Sequence, residues 1–170
     1  MNRNIFFQVV FFLAYLFLQV LILKNVVFYH TGFILFYIAF LLFLPVETTP
    51  LALMAVGFAL GFVVDIFYDS LGVHVSACVA TAYARNYWIA VLTPQGGYDA
   101  GSEPRLAALG IQWFIVYLIP LLLIHQFVLF FVEAGGFTLA GFTLLKVGFS
   151  TLLTFVALLA AEIIFARGRR

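Results

Sequence analysis

Residues 106–132, LAALGIQWFIVYLIPLLLIHQFVLFFV, carry no formal charge until Glu133 ends the run. An α-helix rises ~1.5 Å per residue, so about 20 mostly apolar residues cross ~30 Å of hydrocarbon. This run of 27 residues exceeds that length. Residues 4–23 and 25–46 are also free of formal charge. Residues 34–44 and 118–124 are apolar at nearly every position. A transmembrane β-barrel strand would alternate apolar and polar side chains, so helices are expected.

The rest of the chain supports that reading. Only 9% of the 170 residues are Asp, Glu, Lys or Arg, while 66% are hydrophobic and 22 are Phe. A soluble domain needs far more charge to keep its surface wet. The expected class is therefore all-α: a polytopic membrane bundle forming a single integral domain over residues 1–170. The net charge of +1 comes with no basic patch interleaved with aromatics, so nucleic acid is not an expected partner. Cys78 is the single cysteine and reads as a small packing residue. Arg3 leads into a long Phe/Leu run without a small-residue cleavage site, which predicts a retained first span.

Six spans are predicted, at about 5–23, 27–44, 50–67, 72–92, 108–131 and 142–165. Pro45 and Pro50 bracket a turn at Glu47, Thr48 and Thr49, where polar side chains can cap the next helix. The longest polar segment runs from Thr93 to Arg105. With cytoplasmic termini, Arg3, Arg85, Arg105, Arg167, Arg169 and Arg170 lie inside, and Lys24 and Lys146 lie outside. Six basic residues against two favour that orientation.

The segment GFALGFVVDIFYDSLGVH, residues 57–74, holds most of the candidate site residues. Gly57, Gly61 and Asp65 recur every four positions and share one helix face. Glycines at that spacing let a second backbone approach closely, either within this chain or in a partner. A carboxylate deep in hydrocarbon costs ~2.5–3.5 kcal/mol even on lenient scales, so Asp65 should face protein, cap the next helix or lie at the boundary. Structural support at the turn, partner contact and proton or ligand handling all stay open for it. Asp69 reads as a cap or a solvated residue, and Gly72 as the turn glycine.

Arg85, in YARNYW (residues 83–88), reads as an interfacial arginine reaching phosphates, with a buried ion pair as the alternative. Glu162 matches its predicted depth. His125 lies five residues after Pro120 and reads as a buried, hydrogen-bonded histidine. A proline within a span leaves carbonyls for neighbours to satisfy. Asp65, Asp69 and His74 lack the further ligands a metal site requires. No nucleophile elbow, phosphate loop, CxxC or zinc-protease pattern occurs. No catalytic, cofactor-binding or metal residues are assigned.

Gly57, Gly61, Asp65, Gly72, Val73 and His74, followed by Tyr83-Ala84-Arg85, resemble the rod shape-determining MreD family. An acidic residue at Asp69 departs from that family's small residue there. The resemblance implies a non-enzymatic scaffold in the bacterial inner membrane, without a cofactor. It also implies binding to MreC and support of lateral peptidoglycan synthesis with RodA and its penicillin-binding transpeptidase. MreB and membrane lipid join the implied partners. The implied fold is like the six-helix substrate-binding components of vitamin transporters. The rival reading is itself a transporter component, with a polar pocket involving Asp65, Tyr68 and His74.

Overall fold

A computed structural model describes the backbone of residues 3–167 and the side chains of residues 8–164. The chain is a multi-pass membrane helix bundle. Helix α1 (Arg3–Phe17) runs on through a π turn (Leu18–Ile22) and a 3-10 turn (Leu23–Asn25). Strands β1 (Val27–Phe28) and β2 (Gly32–Phe33) form a small antiparallel hairpin. Short helix α2 (Ile38–Leu42) precedes the long helices α3 (Pro50–Tyr68), α4 (Val73–Val91), α5 (Leu106–Glu133) and α6 (Ala140–Arg167).

Among the described residues, four segments are long and apolar enough to cross a bilayer: Gln8–Asn25, Pro50–Tyr68, Leu106–Glu133 and Ala140–Ile164. Helix α4 lies between α3 and α5, and α5 packs on α6. Local chemistry sets the helix ends. Pro50 occupies the first turn of α3, where its missing N–H costs nothing, and the Thr49 hydroxyl accepts from Ala52 N–H. Asp69, at φ +53°, ends α3 in the left-handed conformation. Gly72, at φ +81°, then precedes α4 without the strain a Cβ would meet in that conformation. Within α5, Pro120 cannot donate to Val116 O, and the Trp88 Nε1 hydrogen bonds that carbonyl at 3.1 Å.

The second predicted span requires correction. Residues 27–44 do not form one helix; they make the hairpin, an extended stretch and α2. Their composition supplies the cause. Residues 26–37, VVFYHTGFILFY, are rich in β-branched and aromatic residues and contain one Leu and no Ala. The segment still travels the length of the bundle. Lys24 donates to Phe67 O at the hairpin end, and Val46 N bonds Ser102 O at 2.9 Å near Arg105. Residues 37–44 are all buried, with Tyr37, Ile38, Leu41 and Leu42 fully so. They form the middle of the core, against Leu53, Leu60, Phe114, Tyr117, Leu118 and Leu121.

Candidate functional site

At the hairpin end, the Gly57–Asp65 face closes on α4. A Cβ on Gly61 would sit 2.5 Å from Val75 Cα and 2.7 Å from His74 O. At Gly57 it would lie 3.2 Å from Cys78 O. The two backbones therefore pack as closely as glycine permits. One turn on, the Asp65 carboxylate accepts from the backbone N–H groups of His74 and Val75, both at 3.0 Å. It also accepts from Ser70 Oγ at 2.6 Å and from His74 Nδ1 at 2.9 Å. Asp65 thus binds the free N–H groups of α4's first turn, where the helix dipole favours an anion.

Asp65, His74 and Ser70 are the residue types of a hydrolase triad, but their arrangement is different. Ser70 Oγ lies 2.9 Å from His74 Nδ1, the ring nitrogen that also meets Asp65. A proton relay needs the hydroxyl and the carboxylate on opposite ring nitrogens. This geometry fixes a turn. Tyr68 packs on the His74 ring at 4.8 Å between centroids, and its hydroxyl accepts from Gln19 Nε2 at 2.8 Å.

The second polar cluster holds the non-helical segment. Backbone without helical bonds survives at membrane depth only when protein satisfies it. The Gln19 amide does much of this: Oε1 accepts from Phe36 N at 2.7 Å and Tyr37 N at 3.4 Å, while Nε2 donates to Ile34 O at 3.2 Å. From α6, Ser150 Oγ accepts from Phe33 N at 3.0 Å, and Thr154 Oγ1 accepts from Leu35 N at 3.1 Å. At the far end of the segment, Arg85 Nε donates to Tyr117 Oη at 2.8 Å and to Leu42 O at 3.3 Å, and its Nη2 donates to Leu44 O. Tyr117 Oη donates to Leu42 O at 2.7 Å.

Arg85 is fully buried, so the interfacial reading is corrected. Carbonyls left unbonded where α2 ends, with Tyr117 Oη, meet Nε and Nη2 of the guanidinium in place of lipid phosphate, while Nη1 has no partner among the described residues. Glu162, at the depth expected for Arg85, pairs with Arg105 instead. Glu162 Oε1 accepts from Arg105 Nη1 at 2.7 Å, and Oε2 accepts from Leu106 N at 3.3 Å at the start of α5. Glu103 adds a bond to Arg105 Nε at 3.0 Å. Burial works against the Arg105 charge, but the hydrogen bonds it donates to Glu162 and Glu103 outweigh it and raise the guanidinium pKa. His125 is fully buried, with Nε2 3.0 Å from Tyr37 Oη. Asp69 is exposed and caps nothing through its side chain; the carboxylate at α4 is that of Asp65.

Beside Arg105 the bundle is open between α1 and α6. A groove of about 450 Å³ runs there, lined by Phe11, Ala14, Leu18, Phe36 and Ala161, with Arg105 and Glu162 at one end. Sequence reasoning left Gln19, Tyr117, Ser150, Thr154 and Arg105 unassigned. Ser150 and Thr154 stand four apart on one face of an apolar helix, a readable signal of a shared polar partner. Among the described residues, no three His, Cys, Asp or Glu side chains form a metal-binding group. Comparison of the chain with protein-family models, curated proteins and solved structures found no match.

Proposed function

We propose that this chain is a non-enzymatic scaffold of the bacterial cell-elongation machinery in the inner membrane. It crosses six times, with the second passage made by residues 34–44 and both termini cytoplasmic. The fold is read as like the vitamin-transporter binding components. The partner is MreC, through a transmembrane helix. RodA, its transpeptidase and MreB are reached directly or through MreC.

One observation carries the reading: the two sides of α3 have different tasks. Gly57, Gly61 and Asp65 lock one side against α4, while Phe58, Phe62 and Ile66 stand 54%, 52% and 59% exposed on the other. The Phe58 and Phe62 rings stack with centroids 6.1 Å apart. A rigid aromatic ridge of this kind suits a partner helix with small residues. The glycine face supports that contact from inside.

Affinity purification from native membranes tests it. MreC should co-purify with the wild-type chain, and the paired change Phe58→Ala, Phe62→Ala should lower recovery about tenfold at equal expression, equivalent to a loss of ~1.4 kcal/mol. Unchanged recovery would remove this ridge from the interface. The transporter reading is weaker, because Asp65, Tyr68 and His74 are already bonded to Ser70, the α4 backbone and Gln19.

A further inference from the structure

We draw no further inference here: the strongest candidate, the buried Arg85 guanidinium where α2 ends against α4 and α5, belongs to the polar cluster already described, and its unbonded Nη1 is sealed by its neighbours with under 1 Å² exposed, which leaves no room beside it for an anion.

Discussion

Asp65 shows how one side chain can settle a turn. Its two oxygens accept from two backbone N–H groups, one hydroxyl and one imidazole. Asp65→Ala would leave the α4 N–H groups buried without acceptors, at a cost of about 1–3 kcal/mol. Asp65→Asn keeps one acceptor oxygen and should cost less. Equilibrium unfolding in mixed micelles would show that order; equal loss from both substitutions would deny the carboxylate its capping role. Gly61 and Gly57 form a second graded pair. A methyl at Gly61 meets backbone at 2.5 Å, which cannot move as a flexible side chain would, so Gly61→Ala should destabilise by about 1–3 kcal/mol. At Gly57 the nearest atom is 3.2 Å away, and Gly57→Ala should be clearly milder in the same measurement.

At the scale of elements, α5 and residues 27–44 look alike in hydropathy and fold differently. The long run at 106–132 was legible because its length alone makes a spanning helix. Helices α3 to α6 begin and end where Pro50, Gly72, Arg105 and the glycines after Glu133 punctuate the chain, and Gly110, at φ +79°, breaks the first turn of α5 from the rest. Residues 37–44 are buried by protein rather than by lipid, and an apolar run carries no period that separates those two environments. The signal that did exist was propensity: Val26, Val27, Thr31 and the aromatics between them disfavour helix, while Ala39, Leu41 and Leu42 sit in α2. The inward role of Arg85 was hidden for the same reason, because its acceptors are carbonyls that exist only if the segment is not a long helix. The arrangement makes Gln19 costly to replace. Gln19→Leu should orphan the Phe36 N–H and Ile34 carbonyl and lower stability by ~2–5 kcal/mol for two such groups. Ser150→Ala removes one acceptor, from Phe33 N–H, and should cost less than half as much. Hydrogen exchange at Phe36 and Tyr37 should rise sharply in Gln19→Leu and little in Ser150→Ala; similar exchange in both would place the support elsewhere.

For the whole molecule, sequence neighbours α3 to α6 stack as successive pairs, whereas α1 lies at the edge with most of its surface outward. Polar ties add to this packing, and Glu162 joins the end of α6 to the start of α5 through Arg105 and the Leu106 N–H. Glu162 is nearly buried and Arg105 is about three-quarters buried, so neither charge is tolerated well without the other. Glu162→Gln removes the ion pair and weakens the anion at the α5 N-terminus, while Arg105→Gln leaves Glu162 its bond from Leu106 N–H. Each single change should cost about 1–3 kcal/mol. The double change should cost less than their sum, because the second substitution removes a charge the first had already stranded. A double-mutant cycle in mixed micelles measures that difference directly. Simple additivity would mean that the pair does not tie the bundle together, and that Glu103 holds Arg105 without help from α6.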